Sequence, residues 1–524
     1  MLSRSISQTR WPIRRLAVGL CLAGLLTGSL WAGKKRFRPA RKQASPAIEW
    51  NQKNAAHLMR RAGFSASPEE LKLLLDQGFE TTLDQLLHPE SVQDSQVDAV
   101  LGLEHSPNHH PFRLGPAGNR RVFLVGYQDL WLYRMALSKR QLLEKMTFFF
   151  HDHFATSGET VFQATIKGEE EPLIGIQHDL MRRHALGNFK QFVHEMARDP
   201  AMLLWLDNLS NIAANPNENW ARELMELFSI GIGNYTETDV QEAARAFTGW
   251  SMSFETGQFR FRPDVHDFGE KTFLGISGNL DGDDIIDRIF EQPETARFMA
   301  RKLWEFFAYP DPDEELVDEL GNIFRESGYE IRPLMKAIFE HAEFYSERAF
   351  RALVKSPSEM LVNFLRESGL SEFGFYDLIF LDYLDQANQS LFDPPDVAGW
   401  PGGRLWLNTS TMLTRFNLFA RLIANRSTSF IGDEKDERIF HLPYWVVDAI
   451  SSYQLITFDD YISHFLERFL QREVPADVRL ALETYMQRGP GGVPQPFDLK
   501  NADVDVKIRG LIFLILTLPE YQMN

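Results

Sequence analysis

A carboxylate beside the apolar stripe of a helix is the first chemical feature of this sequence. The run 215–228 (NPNENWARELMELF) reads as a helix with Asn215 as N-cap, Pro216 at the first helical position and Glu218 at the capping-box position. Trp220, Leu224, Leu227 and Phe228 recur at helical spacing and make one buried stripe. Glu223 flanks that stripe. A carboxylate is costly to bury unless it is paired, ligated or protonated, so Glu223 is a candidate ligand, general base or structural pair. Arg222 sits four residues from both Glu218 and Glu226, the spacing of surface ion pairs, and is also a cation placed to stabilise an anion.

Three further groups of residues bear chemistry. In 146–154 (MTFFFHDHF) a helical reading puts His153 on the apolar face with Phe149, Phe150 and Phe154, and His151 on another. Two-residue spacing does not preorganise two imidazoles on a helix, so the alternative is a buried His153 satisfied by a carboxylate or carbonyl. In 264–271 (DVHDFGEK) His266, acids and Lys271 crowd a turn that contains a glycine. In 392–403 (FDPPDVAGWPGG) prolines and glycines make a stiff loop carrying Asp393, Asp396 and Trp400, with Trp406 close behind. These tryptophans either stack on a sugar, cover a pocket or anchor the loop. Taken together, His151, His153 and His266 are the candidate metal ligands. Glu223, Lys271 and Arg222 are the candidate catalytic groups, and Asp393, Asp396, Trp400 and Trp406 the candidate binding loop. No phosphate-binding P-loop, dinucleotide glycine fingerprint, HExxH or GxSxG elbow is present.

The elements that must position these groups are mainly helical. Helices are expected at 57–63, from Ser67-Pro68 to Gly78, over 121–150, and at 173–186, 189–198, 294–307, 313–326, 331–340 and 359–367. The stretch 104–120 reads as a loop, and the apolar run 510–518 is too short to span a membrane. A small β-hairpin excursion is expected near 257–275, with 259–262 and 271–275 as its arms. The fold class is therefore mainly α, a large multi-helix single domain over 51–524.

Residues 1–32 resemble a secretory signal peptide, with Arg4, Arg10, Arg14 and Arg15 ahead of an apolar stretch. Arg14-Arg15 leaves the twin-arginine route open beside the general one. Residues 33–50 follow as a basic disordered tether. Export to the periplasm, cell surface or medium is the expectation, with no membrane span left after cleavage. The single cysteine, Cys21, lies in the leader, so the mature chain excludes disulfides, thiolate catalysis and Cys-ligated zinc. Any metal would be N/O-ligated, with Zn or Mn favoured. A net charge of −17 over 524 residues argues against a nucleic-acid binder.

The motif segments, in their order, resemble the domain-of-unknown-function 1800 (DUF1800) family. They are HLMRRAGFSASPEEL at 57–71, FFFHDHFAT at 148–156, NENWARELMELFSIGIGNYTETDVQEAARAFTGW at 217–250, HDFGEKTFLG at 266–275, KSPSEM at 355–360 and LFDPPDVAGWPGG at 391–403, with Arg415 beyond. The resemblance implies a secreted protein, commonly encoded beside a sulfatase-like or phosphatase-like family. Members often carry Asn where this chain has Asp152 and Asp396. Two functions stay open. One is a metal-assisted hydrolase of an extracellular or envelope polymer. The other is a non-catalytic envelope scaffold, chaperone or partner of the sulfatase-like protein, which needs an exposed apolar patch such as one around Trp400 and Trp406.

Overall fold

The structure is a computed structural model that describes residues 48–95, 97–98, 120–161, 173–369, 378–424, 455–500 and 504–524. The leader, nearly all of the basic tether and the loop at 104–119 lie outside the described residues. Residues Pro46–Asn524 form one compact unit, and it is mainly α-helical.

Local chemistry places the helix ends. Ser67 and Glu70 form a capping box that opens Pro68–Gln77, and Ser356 and Glu359 do the same for Pro357–Glu367. In each case two orphan N–H groups are satisfied reciprocally, with proline at the first turn where no donor is needed. The long helix expected over 121–150 is broken in two, Arg120–Leu137 and Gln141–His153. The break lies at Ser138, whose hydroxyl donates to Asp94 Oδ2 (2.7 Å) and accepts the N–H of Arg140 (3.0 Å). Gln141 Nε2 donates to the Met135 and Ser138 carbonyls freed by the break. Side-chain hydrogen bonds of this kind compete with the helix ladder, and apolar periodicity does not reveal them.

Two hydrophobic cores fill the unit. One is built from the N-terminal and central helices, the other mainly from helices Arg120–Leu137, Pro357–Glu367, Thr409–Ala424, Phe458–Phe469 and Val504–Leu516. Helix Gln141–His153 feeds both, with Phe149 and Phe150 in the first and Phe148 in the second. The apolar C-terminal run is the buried helix Val504–Leu516, and no helix among the described residues is long and apolar enough to cross a membrane.

The β excursion is two hairpins rather than one. Strand β1 (Trp250–Met252) pairs with β2 (Phe259–Phe261), and β3 (Lys271–Phe273) pairs with β4 (Ile276–Gly278), both antiparallel. The arms expected to pair with each other, near 259 and 271, each take a nearer neighbour in sequence. The run Trp250–Met252 is buried throughout, and short buried runs give no alternation by which to recognise a strand.

The helix that carries Glu223 starts later than expected. Asn215 is not its N-cap. The Asn215 N–H donates to Ile212 O within a tight turn. Asn217 Nδ2 donates to Ser210 Oγ (2.9 Å), Asn219 Nδ2 to Leu206 O (3.1 Å), and Asn211 Oδ1 accepts the Asn217 N–H (2.9 Å). These amides tie the segment to the preceding turn, so helix begins only at Asn219, with Glu218 at the cap position and no side-chain cap bond. It runs as α-helix over Asn219–Glu223 and then widens into a π-helix over Leu224–Ser229.

Candidate functional site

Three of the motif segments meet at the C-terminal end of helix Gln141–His153. Its last three residues splay into different surroundings. His151 Nε2 accepts the N–H of Phe392 at 2.9 Å, and its ring packs on Trp131, Phe392 and Trp400. Asp152 Oδ1 accepts the N–H of Trp400 at 2.8 Å. His153 Nε2 lies 3.1 Å from Phe228 O, and its Nδ1 lies 3.0 Å from Lys302 Nζ. An ammonium only donates, so His153 Nδ1 is the acceptor and Nε2 carries the proton given to Phe228. Each bond spans more than seventy residues of sequence, so the loop 391–403 and the π-helix are both held to this helix end.

The loop is fitted closely to Asp152. Gly399 has φ +82°, and a Cβ there would lie 2.3 Å from Asp152 Oδ1 and 2.7 Å from its carbonyl oxygen. Only glycine permits that approach. On the other flank the Gly158 N–H donates to Phe392 O (2.6 Å) and Ser157 Oγ to Asp393 Oδ1 (2.9 Å).

Glu223 stands where the α-helix turns into π-helix. It is half-buried, and among the described residues it makes no hydrogen bond or ion pair of its own. The widened turn is supported by side chains. Ser229 Oγ donates to Leu224 O, and His153 donates to Phe228 O. Single π turns inside helices recur at functional sites. Asp396 of the loop lies near enough to Glu223 to repel its charge. The loop therefore bears on both carboxyls, on Asp152 through a hydrogen bond from Trp400 and on Glu223 through the charge of Asp396.

Burial sets the electrostatics. It pushes the Asp152 carboxyl up to about 6, against the pull of the Trp400 N–H and of Lys302. It draws Lys302 down to about 8, against the pull of Asp152 and Glu305. Glu223 is raised by burial, then by Glu226 and Asp396. Burial takes His151 down to about 3 and His153 well below the usual imidazole range, with Lys302 adding to the second effect. Both imidazoles are therefore neutral near pH 7. Asp152, Glu223 and Lys302 each keep part of their surface open to solvent.

The other candidates lie elsewhere or have structural work. Arg222 pairs with Glu218 (3.0 Å) and Glu237 (2.7 Å), which hold its charge on. Lys271 is buried in β3, and its Nζ donates to Asp267 O (2.5 Å) and Gly269 O (3.1 Å), pinning that turn. His266 Nδ1 donates to Thr248 O (2.7 Å), with its ring between Phe261 and Phe268. The three histidines thus sit in three settings. Among the described residues no group of three or more His, Cys, Asp or Glu is arranged to hold a metal ion. Trp400 and Trp406 are 8% and 6% exposed, so they anchor the loop rather than present an aromatic surface.

Two residues were not found from the sequence. Lys302 follows Met299 by three positions and precedes Leu303 on the buried stripe of helix Pro293–Phe307, so it flanks that stripe as Glu223 flanks its own. The same test applied to cations finds it. His178 packs on Trp131 (4.4 Å) and Phe392 (5.2 Å) beside His151, and nothing in its sequence neighbourhood marks it.

The sequence profile of the family described as "Protein of unknown function (DUF1800)" matches residues 57–523. The chain belongs to the DUF1800 family. The match includes all three segments that meet at the helix end. No curated protein and no solved structure matches the chain.

Proposed function

We propose that this chain is an exported hydrolase of an extracellular or envelope polymer, with Glu223 as its acid–base group. The observation that carries the reading is Glu223 itself, a half-buried carboxyl with raised proton affinity and no hydrogen-bond partner among the described residues, beside a stiff loop. Such a group is poised for proton transfer. Lys302 serves as the cation that stabilises developing negative charge, and Asp152 holds its charge on. Asp152 positions and tunes rather than reacts. The histidines enter as scaffold, since the nitrogens of His153 are both committed. The test is a panel of polysaccharide, peptide and ester substrates offered to wild type and Glu223→Gln. Turnover that falls about 10²–10⁴-fold in the variant supports the reading. Equal turnover sinks it.

A second reading is a non-catalytic scaffold, chaperone or partner of a secreted sulfatase-like or phosphatase-like protein. It is favoured by Leu405 and Leu413, which flank buried Trp406 and are 65% and 60% exposed. Co-purification lost in a Leu405→Asp/Leu413→Asp double variant, with no turnover on any panel substrate, would select it.

A further inference from the structure

The segments HLMRRAGF and KSPSEM and the residue Arg415 take no part in the proposed site, yet the fold brings them together. Arg60 and Arg61 come from helix Gln52–Ala62, Lys145 from Gln141–His153, Arg351 and Lys355 from the segment ahead of Pro357–Glu367, and Arg415 from Thr409–Ala424. All six are buried, with Arg60 and Arg61 1% exposed and Lys355 and Arg415 fully enclosed. Arg60, Arg61, Lys145, Arg351 and Lys355 act on one another, and Arg415 joins them through Glu359 and its bond to the Lys355 carbonyl.

Among the described residues the carboxylates do not balance the cations. Glu359 takes Lys145 directly and also accepts Ser356 N–H (2.8 Å) and Asn524 Nδ2 (2.8 Å). Glu367 accepts Ser65 Oγ (2.7 Å) and Tyr521 OH (2.9 Å), two neutral donors. Half-buried Glu520 is a third acid, near Arg351. Among the described residues, six buried cations therefore face three carboxylates.

The arginines use carbonyl and amide oxygens instead. Arg61 donates to Ala349 O (2.6 Å), Arg351 to Met523 O (2.7 Å), Arg415 to Lys355 O (2.7 Å), and Arg60 to Gln471 Oε1. Among the described residues, buried donors are left over: Lys355 Nζ, Nε and Nη2 of Arg60, Nε and Nη1 of Arg61, and Nε of Arg351 and Arg415. Lys355 Nζ stands 3.9 Å from the Tyr521 ring centroid, a weak substitute for a counter-charge.

We propose that this cluster is a binding site for one small inorganic anion, held between Lys355 Nζ and the free N–H groups of Arg60, Arg61 and Arg415. Burying an uncompensated charge is costly, and a guanidinium does not shed its proton in proteins. Burial draws Lys355 down to about 7, Arg61 to about 9 and Arg351 to about 10, the direction expected of enclosed cations. A bound anion meets it and satisfies the leftover donors. It would staple the N-terminal helix, the 351–359 segment and helix Thr409–Ala424 from inside.

The test is the anion content of the full chain. Protein exchanged exhaustively into a HEPES–NaOH buffer is denatured, and the filtrate is analysed by ion chromatography for chloride, phosphate and sulfate. About one equivalent of one of these per chain is expected, and Lys355→Met, folded by circular dichroism, should release at most a tenth of that. Less than about 0.1 equivalent from folded wild type overturns the proposal, whatever the variant does. Equal release from wild type and folded Lys355→Met overturns the assignment of Lys355.

Discussion

The backbone N–H of Trp400 donates to Asp152 Oδ1 at 2.8 Å, joining a loop and a helix end that are 248 positions apart in sequence. The bond holds a loop rich in proline and glycine against a carboxyl that burial has already raised to about 6. Loop position and carboxyl ionisation are therefore linked, because a protonated Asp152 is a weaker acceptor than a charged one.

Gly399→Ala tests the closeness of that fit. The added Cβ would meet Asp152 Oδ1 at 2.3 Å in a backbone conformation of positive φ. A loss of about 1–3 kcal/mol in stability is expected, read as a lowered denaturation midpoint at unchanged slope. Ala398→Gly, next to it, should change stability by less than about 1 kcal/mol.

Should the proposed hydrolase activity be found, its rate should follow a bell in pH. Lys302 must be protonated, so the basic limb falls near 8, and the acid limb belongs to Glu223, whose proton affinity burial raises. Lys302→Gln should remove the basic limb and lower kcat. A flat profile in wild type would separate these two groups from the reaction.

Stability should fall steeply in mild acid. His57, His151, His153 and His178 are held neutral by burial, so below about 6.5 the unfolded chain takes up protons there that the folded chain does not. Asp152 and Asp199, raised to about 6 and about 7, act the other way, since the folded form protonates first and gains stability as pH falls toward 4. His464, drawn down to about 4, joins the four, and the histidines outweigh the two aspartates, so stability falls as pH drops from ~6 toward ~4. Urea unfolding at half-unit steps checks the sign.

His153→Ala separates scaffold from ligand. With Nδ1 accepting from Lys302 and Nε2 donating to Phe228 O, the imidazole is a packed strut in an aromatic cluster with Phe149, Phe154 and Phe228. Its loss should cost about 2–4 kcal/mol through the cavity and the unmet carbonyl. Metal content, measured by mass spectrometry on protein purified without chelator or His-tag, should be the same in wild type and variant. Stoichiometric metal that vanishes with His153 would refute this.

Much of the fold was legible because helix signals are local. The Ser67-Pro68 start and the apolar stripes gave helix positions to within a turn or so, although the Ser356 capping box went unread. The break at Ser138 and the late start at Asn219 were hidden, since both depend on side-chain hydrogen bonds to residues elsewhere in the chain. Glu223 was found because its face could be read from period alone. Lys302 is equally legible by period, but a cation beside an apolar stripe passes for a snorkelling side chain where an acid does not. The meeting of Asp152 with Trp400 follows from tertiary packing and leaves no trace in spacing.

The sharing of helix Gln141–His153 between two cores has a consequence for ligand discovery. A wall common to both halves couples their unfolding, so neither half should melt by itself. Any molecule that seats at the end of this helix would raise the melting temperature of the whole compact unit, by an amount set by its concentration over its dissociation constant. A thermal-shift screen therefore reports on this site before any reaction has been found, because the architecture itself is the sensor.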